Sequence, residues 1–266
     1  MYEESSVLKL KNVLIGLLLC FQFFTSFPIR KELPMNKKTV TSMFAMMPIM
    51  SLLMGFSVCI LVYLNEAYFH FSPLFLAIII VVFNLVMTGG LHLDGWIDLS
   101  DAFFSYRDRE KRLEILSDSR VGAFGAISLV VMILLKIGVL YELLIQQLEP
   151  ILLFFVIIPF LCRIAMLLYF NTTANVKNEG LAAYFKNNVD RKTLWIFVYV
   201  YIGLFFMVSF IVNSLLMVLL LISMFIFYLL YRKWTKHHFG GLTGDLLGAL
   251  YEGMELVLWG MLLLFI

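Results

Sequence analysis

Asp94, Asp98 and Asp101 stand four and three residues apart in the run Gly89-Gly90-Leu91-His92-Leu93-Asp94-Gly95-Trp96-Ile97-Asp98-Leu99-Ser100-Asp101. On a helix that spacing sets all three carboxylates on one face. A row of like charges repels itself. It becomes reasonable if a divalent cation, or a substrate carried by one, sits among the acids, and oxygen ligands of this kind suit Mg²⁺. The same preference makes His92 a substrate contact rather than a ligand.

A second constellation lies far along the chain, in Gly240-Gly241-Leu242-Thr243-Gly244-Asp245-Leu246-Leu247-Gly248 with Glu252 and Glu255 beyond. Gly241, Thr243 and Gly244 supply a turn with backbone donors and a hydroxyl. Asp245, Gly248 and Glu252 recur at helical spacing as a small and acidic stripe. Ionisable groups inside an apolar helix are costly and point to function. Arg163, in the middle of another apolar run, is the expected partner of Asp245 or Glu252.

Between the two lies Ser117-Asp118-Ser119-Arg120-Val121-Gly122-Ala123-Phe124-Gly125. Arginine can hold phosphate with two donors, and glycines at a helix start let backbone amides approach an anion. A plain helix cap with Asp118 near the positive end of the dipole is the other reading. The preceding stretch 107–114 alternates charge with Leu113 and reads as an amphipathic segment at a membrane surface or a solvated connector. Asn84 and Thr88, one turn apart, suit interhelical hydrogen bonds.

The elements that must position these residues are membrane helices. Of the 266 residues 62% are apolar and 14% charged, with mean hydropathy +0.95, against roughly 45–50% and 25% in soluble domains. The chain reads as an all-α, polytopic membrane bundle forming one catalytic domain over residues 1–266. It has seven to eight transmembrane helices and an amphipathic interfacial segment near 100–118. Stretches of about 20 apolar residues fall at 10–28, 40–64, 74–91, 121–145, 150–170, 194–212, 214–231 and 246–266, with Asn213-Ser214 dividing a run too long for one span. Lys and Arg concentrate at 30–38, 107–120, 177–192 and 232–236, while the loops at 65–73, 146–149 and 213 have none. That alternation obeys the positive-inside rule and puts both termini outside, with every informative polar segment on the cytoplasmic side of the cell membrane.

Cys20, Cys59 and Cys162 lie in apolar runs without a pairing pattern and read as packing. The first apolar run lacks a small-residue cleavage site and reads as a retained span. No basic tract suggests nucleic acid, and a homo-oligomer is compatible with the sequence. P-loop, GxGxxG, HExxH and Ser/His/Asp patterns are all missing.

With these residues together, the chain resembles the cobalamin synthase family, adenosylcobinamide-GDP ribazoletransferase. The carriers, in order over nearly the whole chain, are Phe24-Thr25-Ser26-Phe27-Pro28, the Gly89–Asp101 block, Asp118 to Gly125, and Gly241-Leu242-Thr243-Gly244-Asp245 with Glu252 and Glu255. The resemblance implies that a GDP-activated corrinoid is joined to α-ribazole or its 5′-phosphate, releasing GMP with Mg²⁺ as cofactor. On that reading Asp94, Asp98 and Asp101 hold the metal. Asp118 or Asp245 completes its shell or acts as base, and Arg120 contacts phosphate. Gly241 and Gly244 let the second loop close on the nucleotide. The family usually reads Asp-Gly-Leu-Ala-Asp-Thr-Ala-Asp-Gly, whereas Trp96-Ile97 and Leu99-Ser100 stand here, a bulkier lining between unchanged acids.

Two rivals are weaker. A CDP-alcohol phosphotransferase acting on a lipid would have an acid three residues before Asp94 and Ala-Arg after Gly95, and neither is present. A divalent-cation transporter would spread acids along the bilayer depth, whereas these gather at one side.

Overall fold

The computed structural model describes residues 10–146, 151–177, 179–212 and 214–265. Eleven helices are present among them: α1 Leu10–Phe24, α2 Lys37–Leu64, α3 Pro73–Thr88, α4 Leu91–Phe104, α5 Arg109–Ile115, α6 Ala123–Ile145, α7 Ile151–Thr172, α8 Leu181–Asn187, α9 Arg191–Val212, α10 Leu215–His238 and α11 Gly244–Leu264. No strand is formed among the described residues; a single parallel bridge joins Asn175 to Leu242.

Six helices, α2, α6, α7, α9, α10 and α11, are long and apolar enough to cross a bilayer. The expected third span is different. α3 has 16 residues and qualifies only together with α4, from which it is bent by 93°. The first expected span, 10–28, is a 15-residue helix ending at Phe24, short of the ~20 residues a span needs. Among the described residues there are thus six long spans, or seven with the bent α3–α4 pair as one, which meets the lower end of the seven to eight expected. The division of the long run holds, since α9 ends at Val212 and α10 starts at Leu215; Asn213, residues 147–149 and the positions before Leu10 lie outside the described residues. α10 also runs two turns past its expected end, so the basic stretch 232–236 and His237-His238 are helical rather than loop.

Helix α7 is the axis of the bundle. It is buried on nearly every side, and α11 beside it is buried over most of its length. Helices α6 and α9 instead expose broad apolar faces, as lipid-facing helices do. Close crossings are built on small residues: Gly16 of α1 meets the backbone at Ser42–Met43 of α2, and Gly55 of α2 meets Phe155 of α7. Helix α2 starts on a reciprocal cap, Asn36 accepting from the amides of Lys38 and Thr39 while Thr39 Oγ1 accepts from the Asn36 amide.

The turn that sets up the site is at Gly89 and Gly90, with φ of 62° and 74°. Two successive left-handed residues end α3 and swing α4 sideways, a path only glycine follows without strain. Ser26, from the segment after α1, secures this end of α3: its amide donates to Met87 O at 2.9 Å and its hydroxyl to Val86 O at 2.6 Å. Helix α4, bent by 93° from α3, thus packs across the start of α11. The segments near 26–35, 89–122, 173–190 and 239–243 meet at that same end through contacts such as Tyr184 to Met35 O and Leu242 to Ala174 O. All four expected basic loops thus share one side.

Candidate active site

The two sequence-distant constellations touch backbone to backbone where α4 crosses the start of α11. A Cβ at Gly95 would lie 2.5 Å from Asp245 O, and one at Gly248 would lie 3.2 Å from His92 Cα. Both glycines are therefore there for the crossing. Asp94 and Asp245 come to line one cavity of about 420 Å³ with His92, Thr243 and Gly244. Asp98 stands next to them. Its partial burial, then the negative charges of Asp94, Asp245 and Asp101, push its carboxyl up to about 7.

Asp101 has a different setting from its neighbours. Its Oδ2 accepts from the Gly122 amide at 2.7 Å and its Oδ1 from the Gly125 amide at 2.8 Å. A Cβ at either glycine would run into this carboxylate. The helix N-terminus that was expected to receive a phosphate, or to be capped by Asp118, thus holds the chain's own Asp101. Asp118 and Arg120 pair with each other at 2.6 Å on the exposed loop. Hydrogen bonds from Arg120 hold the Asp118 carboxyl down at about 2.

The second loop is built from both sides. Leu242 donates to Ala174 O at 2.8 Å, and Val176 donates to Leu242 O at 3.1 Å. A Cβ at Gly241 would collide with Ala174 O, so this glycine is needed for the close approach of the two segments. Thr243 caps α11, its hydroxyl accepting from the Leu246 amide at 3.2 Å. Gly244 is the exception, with nothing within 4 Å of where a Cβ would be. On the outer side, α5 is no free connector: Arg109 Nε donates to Phe239 O at 3.1 Å, beneath Gly240, and Arg112 meets His238.

Glu252 does not pair with Arg163. Glu252 and Glu255 both pair with Lys136 of α6, beside a small internal cavity that Asn84 and Thr88 also line. Arg163, 0% exposed, lies 4.5 Å from the Tyr251 ring and 5.5 Å from that of Phe24, and donates to Met166 Sδ at 3.3 Å. Its Nε and Nη2 have no partner. Geometry decides this: two carboxylates one turn apart face α6, while Arg163 on α7 faces the rings on the other flank of α11. Lys136 went unnoticed in the sequence, although a single cation deep within the apolar run 121–145 is itself a signal.

His92 is 2% exposed, stacked 6.2 Å from Phe24 and 4.7 Å from Tyr251, with Nε2 unpartnered. Burial first, then the charges of Arg163 and Lys136, keep its imidazole neutral. Two further lining residues were not singled out by sequence, Asn175 and Lys177. Lys177 is the one Lys or Arg among the described residues that line the cavity, and it is close enough to act on the charge of Asp245.

Among the described residues no three acidic, histidine or cysteine side chains stand together as a ready cage for an ion. The donor set is nonetheless all carboxylate and mutually repelling, which suits a hard divalent cation. Mg²⁺ in such sites commonly takes one or two carboxylates and completes its shell with water and substrate phosphates. Asp94 and Asp98 fit that need; both oxygens of Asp101 are already engaged.

A family model described as cobalamin-5-phosphate synthase matches residues 16–263. The adenosylcobinamide-GDP ribazoletransferase of Geobacillus thermodenitrificans (strain NG80-2) is 36% identical over 256 residues, 92% of this chain and 94% of that protein. That of Halalkalibacterium halodurans is 34% identical over 257 residues, covering 95% and 97%. The protein of the same name from Clostridium botulinum (strain 657 / Type Ba4) is 31% identical over 244 residues, covering 91% and 95%. No solved structure matches the chain.

Proposed function

The chain belongs to the cobalamin-5-phosphate synthase family, and from that premise we propose how its site joins GDP-activated adenosylcobinamide to α-ribazole, or to α-ribazole 5′-phosphate, with release of GMP. The observation that carries the proposal is the crossing of α4 and α11, which brings Asp94 and Asp245 onto one cavity, with Asp98 close enough to feel the charge of both.

The reaction forms one P–O bond from a ribose hydroxyl to the phosphoryl group on the corrinoid arm, breaks the phosphoanhydride bond to GMP, and frees one proton. A cluster of carboxylates cannot by itself receive a pyrophosphate. Mg²⁺ held by Asp94 and Asp98 would supply the charge neutralisation on the transferred and departing phosphates. Lys177, which lines the same cavity near Asp245, would add a second positive charge there. Asp245, at the first turn of α11, faces the same space and is the group we assign to accept the hydroxyl proton. Asp101 acts from behind, fixing α4 against α6 so that the acids keep their face. His92 and Thr243 form the wall beside them. Arg120, exposed and tied to Asp118, is the group we assign to the outer phosphate or the nucleotide.

We place the site on the cytoplasmic side of the cell membrane because all four basic segments gather at the end of the bundle that carries it. GMP release by purified protein given GDP-activated corrinoid and α-ribazole, with and without Mg²⁺, tests the whole reading. Release that persists unchanged after exhaustive chelation would remove the metal from it.

A further inference from the structure

The lining of the cavity is of two unlike kinds. On one side stand Asp94, Asp245 and Lys177. On the other the rings of Phe23, Phe44, Phe170 and Phe185 form a connected set: Phe185 is edge-on to the half-buried Phe23 at 5.4 Å and to Phe44 at 5.5 Å, and Phe44 and Phe170, stacked at 4.1 Å and almost fully buried, back them. Aromatic walls in a cavity of about 420 Å³ favour a flat, apolar ligand of modest size. Phosphoryl transfer does not need such walls, so they answer to something else in the substrates.

Three groups compete for this half, and their hydrogen-bonding needs separate them. A corrin ring carries many carboxamide arms, each of which must keep a hydrogen-bond partner when it leaves water. Guanine presents donors and acceptors along its whole Watson–Crick edge. Phenylalanine rings offer neither, and burying an unpaired polar group costs roughly 1–3 kcal/mol. The base of α-ribazole, a dimethylbenzimidazole, has no exocyclic donor or acceptor and two methyl groups to bury. It alone matches the wall. Its ribose would then extend toward Asp94 and Asp245, where the attacking hydroxyl is needed.

Resting on the transfer reaction assigned above, we propose that the Phe23–Phe44–Phe170–Phe185 half of the cavity is the acceptor subsite, which holds the benzimidazole base of α-ribazole. The GDP-activated corrinoid then approaches from the open, polar side. The helix α8 forms part of the acceptor wall through Ala182 and Phe185, so the short segment between α7 and α9 sets acceptor specificity.

Steady-state kinetics with the full chain in detergent test this, varying each substrate in turn. The wild-type chain should use the nucleoside that lacks both ring methyls with a KM about tenfold higher than α-ribazole, as expected for two buried methyls. Ala182→Phe, which adds a ring to the half-buried wall, should raise the KM for α-ribazole more than tenfold and leave that for the GDP-activated corrinoid unchanged. Equal KM for the two nucleosides, or an Ala182→Phe effect confined to the corrinoid, would overturn the subsite. The nucleoside comparison needs no variant, so misfolding of Ala182→Phe would leave the question decidable. Absence of GMP release by the wild-type chain with any nucleoside would instead refute the transfer reaction itself.

Discussion

Asp101 of α4 holds Gly125 of α6 by its amide, at 2.8 Å from Oδ1, while Oδ2 takes the Gly122 amide. An acid from the catalytic row thus anchors a neighbouring helix at its positive end. Asp101→Asn keeps one acceptor but turns an NH₂ toward a backbone N–H, so it should lower stability by about 1–3 kcal/mol. Thermal unfolding in detergent should show a lower Tm for Asp101→Asn and an unchanged Tm for Asp94→Asn. Activity should fall in both. An undiminished Tm in Asp101→Asn would remove its anchoring role.

Asp98 gives the site a pH dependence. Its carboxyl is pushed up to about 7 by burial and by Asp94, Asp245 and Asp101. Below that pH a proton occupies the oxygen a cation needs, so Mg²⁺ affinity should fall by about tenfold per unit as pH drops from 7, and level off above it. The Mg²⁺-induced rise in Tm measures this. In Asp98→Asn the rise should be smaller at pH 8 and nearly independent of pH. A wild-type curve that is flat between pH 5.5 and 8 would argue against Asp98 as a ligand.

Gly241 and Gly244 should part company. Gly241→Ala meets the Ala174 carbonyl and should destabilise the second loop, whereas Gly244→Val points its side chain into open space on the cavity wall. Gly244→Val should therefore fold like the wild type and lose turnover by an order of magnitude or more. Comparable Tm losses in both variants would show that Gly244 is structural too.

How far this was readable beforehand differs residue by residue. The one-face placement of Asp94, Asp98 and Asp101 follows from helical periodicity, and the position of most spans follows from hydropathy. Neither says which neighbour a face will meet. Asp101 sits in the same row as Asp94 yet turns to α6 because the sweep of the helix carries its last turn past Gly122 and Gly125. Likewise the acidic stripe of α11 was visible, but its partner Lys136 is set by the α6–α11 contact, and Arg163 is held by aromatic faces that no spacing announces. The expected span 74–91 ran through Gly89-Gly90, where the chain instead bends by 93° into α4.

Lys136 carries two carboxylates, Glu252 and Glu255. Lys136→Met leaves both acids buried without a counter-charge, an imbalance that costs roughly 3–5 kcal/mol. Yield and Tm of Lys136→Met should drop sharply. The triple variant Lys136→Met, Glu252→Gln, Glu255→Gln should recover much of the loss, and failure to recover would mean that the cluster does more than balance charge.

Orientation is tested by thiol labelling in a background without Cys20, Cys59 and Cys162. Tyr68 and Asn187 are both exposed, at opposite ends of the bundle. Tyr68→Cys should react with an impermeant reagent in intact cells, and Asn187→Cys only after permeabilisation. The reverse pattern would put the site outside.

The crossing of α4 with α11 ties residues 91–104 to residues 244–264. When a ribosome has finished the first two hundred residues, the acidic row has no second wall and the cavity no floor beside it. A chain that stops short of Gly244 has the acids of α4 but neither Asp245 nor the backbone that Gly95 packs against, so the two walls of the cavity come from parts of the chain made at widely separated times.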